Sequence, residues 1–398
     1  MRTALLALVC LSLISATVSA QNIVVPGDAD GDMIVSDKEL ELAEQSCDEG
    51  KITSDELEEI RHIHEAYPIT IVDSANRVVT IYKPVERIII QPTSSYEPIW
   101  ILGAQDRVVG VTNTAKDLAY TWLPGIQNKS AIGEYNELDY EKIIELNPDI
   151  ALVSNSGIET KKIDEILEPS GITVVGAEFV ELETFDSELK NIAEILEAEE
   201  RAEDFLAWRN EYINSVKEKT NEIDPRVRVY GEWAHVERAT GGKTSAIDST
   251  IKVAGGDNIA GDLDEYWIVL DPEFIMTENP EVIFFAAWED MLGLTGYYVD
   301  NYEGAMQFVE SATNRTDLKD TSAVQNGGVY VLDAGCVLTS ARNFVPTLYL
   351  AKWFYPDRFE DLDPEAVHKE YFEKWLGIPY QGVWAYPQAS ARSREWQG

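Results

Sequence analysis

From residue 69 onward the apolar positions fall into short runs that alternate with helically spaced ones. Residues 69–73 and 77–81 alternate apolar and polar around Ser74-Ala75-Asn76, which predicts a β-hairpin. Arg87-Ile88-Ile89-Ile90 is a continuous apolar run of the kind a buried strand needs. Ser94-Ser95-Tyr96-Glu97 then opens a helix that carries Ile99 and Leu102 and stops at Gly103, and 108–111 is strand-like again. Between 139 and 153, Tyr140, Ile143, Ile144 and Leu146 line a helix face, Asn147-Pro148-Asp149 breaks it, and Ile150-Ala151-Leu152-Val153 reads as a strand. A further strand is expected at 171–175 and a helix at 184–196. Alternation of this kind predicts an α/β layer with a mostly parallel sheet.

Residues 199–222 carry Phe205, Leu206, Trp208, Tyr212, Ile213 and Val216 at near-helical spacing, with no Gly or Pro. One helix of about 35 Å, at roughly 1.5 Å per residue, is expected there. The α/β pattern then restarts, with strands at Val227-Arg228-Val229-Tyr230, Val282-Ile283-Phe284-Phe285 and Val329-Tyr330-Val331-Leu332. Helices are expected at 250–254, closed by Gly255-Gly256, and near 345–354 and 364–376. The halves also share a phrase: Glu141-x-Ile143-x-x-x-Asn147-Pro148-Asp149-Ile150 matches Glu273-x-Ile275-x-x-x-Asn279-Pro280-Glu281-Val282 in spacing. The expected fold is α/β: two similar lobes, 69–198 and 223–398, with mostly parallel sheets, joined by one long helix at 199–222 and with a ligand groove between them.

A different pattern precedes the body. Asp28 to Glu39 reads D-A-D-G-D-M-I-V-S-D-K-E, the spacing of a calcium-binding EF-hand loop. Asp28, Asp30, Asp32, Ser36 and Glu39 supply side-chain oxygens and Ile34 a carbonyl, so Ca2+ is the expected cofactor. Met33 stands where a glycine normally makes the sharp turn, a departure that costs affinity because a positive φ is unfavourable for a residue with a side chain. A second copy, Gly50-Lys51-Ile52-Thr53 with Glu56, has Gln45 and Cys47 at its first two ligand positions and is expected to bind no ion. Val35 and Ile52 are expected to pair as a short strand. Residues 27–65 resemble a dockerin or EF-hand pair, a small α-helical domain that stiffens the N-terminus or docks a cohesin-like or cell-surface partner.

Residues 1–20 read as a secretory signal: Arg2, an apolar run from Ala4 to Ile14, then Val18-Ser19-Ala20. Val9 before Cys10 argues against lipidation there. An exported protein on the extracellular or periplasmic face is expected. Cys47 and Cys336 exclude a disulfide framework and leave one bridge or two free thiols. With 71 acidic against 32 basic side chains and a formal charge of −39, the chain repels nucleic acid. Such an excess suits a cation-rich exterior or plain solubility.

The 69–81 hairpin, S-S-Y-E-P-I-W-I-L-G-A-Q-D-R-V-V-G-V, D-Y-E-K-I-I-E-L-N-P-D-I, V-A-G-G-D-N-I and P-E-F-I-M-T-E-N-P-E-V-I resemble, in order, the class III periplasmic binding proteins over about residues 69–378. That family serves ABC importers of iron-siderophores, haem, cobalamin and some oxyanions. The resemblance implies a monomer that delivers a small metal-complex or oxyanion ligand to a permease and is held at the membrane through it. It also implies that Glu141 and Glu273, one per lobe, meet permease arginines. Ligand contacts are expected from Ser94, Ser95, Asn113 and Tyr135 in the first lobe and Trp233, Arg238, Lys243, Trp288 and Arg342 in the second. Hydroxyls, helix N-terminal amides, Arg and Lys would meet anionic oxygens, and aromatic rings an apolar or planar face.

An enzyme is not expected. There is no nucleophile elbow or paired His-carboxylate spacing, and Gly241-Gly242-Lys243-Thr244 lacks the upstream glycine of a nucleotide loop. Four histidines, of which only His235 is well placed, are too few for capture of a bare transition metal. A calcium-dependent assembly or scaffold protein is the other reading of the whole.

Overall fold

The computed structural model describes residues 23–116, 120–154, 160–288, 292–335 and 340–388. The expected leader with Cys10, and Cys336, lie outside these residues; Cys47 is a free, half-buried thiol. Among the described residues no helix is long and apolar enough to cross a membrane.

The described residues open with two helices that pack on each other, α1 (Asp37–Asp48) and α2 (Ser54–Ala66). Each opens on a capping box: Ser36 pairs with Glu39 and Thr53 with Glu56, which satisfies two orphan amides per helix. The expected strand contact between Val35 and Ile52 does not form. Val35 is drawn into the core, and the Ile52 amide donates to the Ser46 carbonyl at 3.4 Å. The pair is not on a free tether: Val25, Val35, Leu57, Ile60 and Ile63 belong to the same apolar cluster as the first lobe. His62 and the Tyr67 hydroxyl both meet Glu197 of that lobe, at 2.7 and 2.5 Å.

The predicted hairpin is β1 (Ile69–Val72) with β2 (Val78–Ile81), antiparallel, turning at Asn76 with φ 57°. The first lobe contains β3 (Ile88–Ile90), α3 (Tyr96–Ile101), β4 (Val108–Val111), β5 (Ser130–Ala131), the small antiparallel pair β6 (Gly133–Glu134) and β7 (Glu137–Leu138), α4 (Tyr140–Leu146), β8 (Ile150–Val153), α5 (Thr160–Leu167), β9 (Thr173–Gly176) and α6 (Phe185–Leu196). Its sheet is wholly parallel in the order β5-β4-β3-β8-β9. The continuous apolar runs follow from this, because helices cover both faces of a parallel sheet. In β8 the period of two is visible: Ile150 and Leu152 join the central cluster, Ala151 and Val153 the outer one.

Helix α7 (Glu199–Thr220) links the lobes, two residues shorter than expected. The second lobe follows with β10 (Arg228–Trp233), β11 (Ala239–Thr240), α8 (Ala246–Val253), β12 (Asp257–Asn258), β13 (Ile268–Val269), α9 (Pro272–Glu278), β14 (Val282–Ala287), α10 (Glu303–Thr313), β15 (Val329–Asp333), α11 (Val345–Phe354), α12 (Pro364–Glu370) and β16 (Ala385–Tyr386). Its sheet runs β12-β10-β14-β15-β16, parallel except for β16.

The repeated phrase is a repeated structure. Ile143 and Ile275 are fully buried, and Asn147 and Asn279 close their helices with φ 46° and 45°, a left-handed cap that asparagine tolerates. The next amides, of Asp149 and Glu281, donate to Arg87 and Arg228 at the strand entrances, both at 2.8 Å.

Candidate functional site

In a doubly wound sheet the connection after the first strand goes one way and later strands are added on the other side, which leaves a crevice at the carboxyl ends of the strands where the direction changes. Here that point falls between β3 and β8 in the first lobe and beside β10 in the second. The residues just past β3, β8 and β9 form one hydrogen-bonded set. The Ser154 amide donates to Gln91 Oε1 at 2.9 Å, Gln91 Nε2 donates to the Tyr135 carbonyl at 3.0 Å, and Ser154 Oγ donates to Glu178 at 2.6 Å. Gln91, Ser154 and Glu178 were not among the expected contacts; their position past a strand end was the available signal.

Several expected contacts are engaged within the protein. Ser95 is fully buried and its hydroxyl donates to the Ala177 carbonyl at 3.3 Å, while Ser94 is buried in the turn beside it. Helix α3, which they precede, has only six residues. Asn113 Nδ2 donates to Glu134 at 2.6 Å, and Tyr135 is half-buried.

In the second lobe Trp233 ends β10 and is buried against the core, its ring stacked on that of Trp267. Trp288 follows β14 and is half-buried against the same core. Each cation expected to meet an anion has a carboxylate at hand: Arg238 lies 3.3 Å from Glu237, Lys243 3.9 Å from Asp264, and Arg342 3.0 Å from Glu97.

Arg342 has the most extensive set of contacts among the expected cations. Its guanidinium is buried, Nε reaches both oxygens of Glu97, and the rings of Trp122, Phe372 and Trp384 stand 5.2, 5.7 and 5.0 Å from it. The Tyr371 hydroxyl also donates to Glu97. Burial pushes the Glu97 carboxyl up, opposed by the Arg342 charge and these hydrogen bonds. Burial, with Arg342 nearby, keeps His368 well below the usual imidazole range and so neutral. This cluster joins the lobes. Trp122 stacking on Tyr297 at 5.7 Å and Thr121 bonding Tyr298 at 3.1 Å continue the junction.

In the N-terminal loop, carboxylate oxygens of Asp28, Asp30 and Asp32 lie within 4.8 Å of one another. The Gly31 and Met33 amides donate to Asp28 at 2.7 and 2.9 Å, which orients it, and Met33 has the expected left-handed φ of 68°. Glu39 accepts from the Ala29, Asp30 and Ser36 amides and the Ser36 hydroxyl, which lower its carboxyl to about 2. It is therefore ionised at neutral pH. The Ile34 side chain is half exposed and its amide bonds Asp32 at 2.9 Å.

Glu141 and Glu273 occupy equivalent places. Each lies exposed in the first turn of its helix, two residues past an N-capping aspartate, Asp139 or Asp271.

A family model described as periplasmic binding protein matches residues 89–335, both lobes and the helix between them. The chain belongs to this family. It is 27% identical over 306 residues, 75% of this chain and 88% of the relative, to an uncharacterised ABC transporter substrate-binding lipoprotein of Bacillus subtilis. It is 26% identical over 238 residues to a cobalamin-binding protein of Halobacterium salinarum, covering 58% of this chain and 62% of that one. Among solved structures, the TroA-like periplasmic binding protein FepB from Veillonella parvula aligns with a TM-score of 0.71 and 23% identity over 81% of this chain and all of that one. Molybdate-bound MolA of Haemophilus influenzae aligns at 0.63 and 19%, over 79% and 99%. These structural likenesses establish the two-lobed fold, as the resemblance implied, and the family is one of binding proteins rather than enzymes.

Proposed function

We propose that the protein is the extracytoplasmic solute-binding component of an ABC importer, capturing an iron complex (a siderophore or haem), cobalamin or a similar metal-containing ligand between its lobes and passing it to the permease. The observation that carries this reading is the duplicated, exposed pair Glu141 and Glu273, one per lobe at matching helix positions, in a chain of the binding-protein family. Two like charges related by the pseudo-symmetry of the lobes suit a permease that offers cations from two half-sites. Relatives named for ABC transport and cobalamin binding agree with it. Deleting the gene should abolish uptake of one such labelled compound, and wild-type protein should restore it. The double variant E141R/E273R should bind the compound normally yet restore less than a tenth of the uptake. Uptake that survives deletion would overturn the reading.

The N-terminal loop is proposed to hold one Ca2+ through Asp28, Asp30, Asp32, the Ile34 carbonyl, Ser36 and Glu39, in a dockerin-like helical pair. The converging carboxylates and the ionised Glu39 support this. Because the pair shares its core with the first lobe, calcium would stiffen that lobe's outer surface rather than a separate tether. Calcium at 100 times its Kd should raise stability by about 2.7 kcal/mol. Denaturant unfolding with calcium and with chelator checks this, and D28N/D30N should remove the difference; equal stability in both buffers would exclude the site.

A further inference from the structure

The second lobe repeats helix α4 as α9, position for position, but the two differ on one flank. Residues four apart in a helix share a face. On the flank beside the exposed glutamate the first lobe carries Lys142 and Leu146, and the second carries Phe274 and Glu278. Leu146 packs against the outer apolar cluster that contains Ile132. Both close tightly on β4, where a Cβ on Gly110 would stand 2.7 Å from Ile132 and 3.0 Å from Leu146. Strand β5 then pairs with the outer edge of β4.

In the second lobe this cover is missing. The strand equivalent to β4 is β12, which forms the edge of its sheet. The connection from there to the helix is shorter, 259–271 against 112–139. Glu278 stands where the first lobe has its packing leucine. The result is an open cavity of about 200 Å3 along the flank of α9. Ile259, Leu263 and Phe274 give it an apolar wall, and Asp257, Asp262 and Glu278 supply carboxylates. Arg228 also lines it but is engaged, its Nη1 donating to the Glu278 carbonyl at 2.8 Å and its Nε lying 3.8 Å from Glu281.

A volume below the roughly 300 Å3 at which small-molecule pockets begin suits one long side chain rather than a free solute. Carboxylates around an apolar wall fit a cation on an aliphatic stem, with the Phe274 ring as a further attraction for the charge. Phe274 directly follows Glu273, so the cavity adjoins the carboxylate proposed to face the permease. The first lobe offers no such place. Its flank is filled by Leu146, and Lys142, which pairs with Glu145 at 2.9 Å, would repel an incoming cation.

We propose that the cavity beside α9 is a socket for one arginine or lysine side chain of the permease, present on the second lobe alone, so that docking has a single orientation although Glu141 and Glu273 are alike. This rests on the transport reading above and adds the orientation of docking to it. Binding of fluorescently labelled full-length protein to right-side-out membrane vesicles of the source cells tests it. D257N/D262N/E278Q should weaken docking roughly tenfold, and D257N/D262N, confined to exposed positions, should show part of that loss. E278L, which places there the residue type of the first lobe, should weaken docking as well. E41Q/E59Q/E65Q removes as much charge from exposed positions of α1 and α2 and should dock like wild type. Melting temperatures of the exposed-site variants should match wild type. Docking by the triple cavity variant equal to wild type, an equal loss in the α1 and α2 variant, or no docking by wild type would each overturn the socket. None of these outcomes decides the transport reading, which stands or falls on the uptake measurement with E141R/E273R.

Discussion

Replacing Arg342 by methionine should lower stability by about 3–5 kcal/mol. The side chains of Arg342 and Glu97 are 4% and 2% exposed, and removal of the cation leaves a carboxylate in a site that water does not reach. The Tyr371 hydroxyl alone cannot offset that charge. The three rings around the guanidinium add cation–π attraction that methionine replaces only as dispersion. The double variant R342M/E97M removes both charges and should recover most of the loss, because an apolar pair of similar volume avoids the desolvation cost. Urea unfolding of wild type, both single variants and the double variant measures the coupling. Equal destabilisation of R342M and R342M/E97M would mean that packing, not charge pairing, holds this junction. Since Glu97 belongs to the first lobe and Arg342 to the second, R342M should also speed hydrogen exchange on both sides of the cleft.

Arg209 to alanine should cost about 3 kcal/mol through a different balance of terms. Arg209 sits inside α7, 1% exposed, with Asp186 at 3.0 Å and Asn343 at 3.4 Å. Its guanidinium stands 4.5 Å from the Phe185 ring and 5.9 Å from Phe344. Burial lowers its pKa to about 10, so it stays charged at neutral pH. Its partner Asp186 is 37% exposed, and water re-solvates that carboxylate once the cation is gone. The loss therefore comes mainly from the void between Phe185 and Phe344, and R209M should recover more than half of it. Should R209M be as unstable as R209A, the charge contacts would be the main support. Because Asp186 and Phe185 lie in the first lobe and Asn343 and Phe344 in the second, α7 grips both lobes rather than merely spanning them.

Arg342 shows why the site was harder to read than the fold. In sequence it lies just past a strand of an acidic chain, a position from which a cation readily serves an anionic ligand. Its partner Glu97 is 245 residues earlier, in the first turn of a helix. Trp267 lies in a stretch with no helical or strand period, and only its stacking on Trp233 and its exposure mark it.

What the chain determined by itself is local. The hairpin at 69–81, the apolar strands, the uninterrupted helix between the lobes, the left-handed Asn147 and Asn279 and the strained Met33 in its acidic loop were all readable. Periodicity, caps and turn residues act within a few positions of one another. Tertiary structure alone decided which charges neutralise which, that the helical pair fuses with the first lobe, and which aromatic ring remains exposed. Those outcomes depend on groups brought together from distant parts of the chain, and electrostatic energy at a junction follows distance and burial, which no spacing along a sequence encodes.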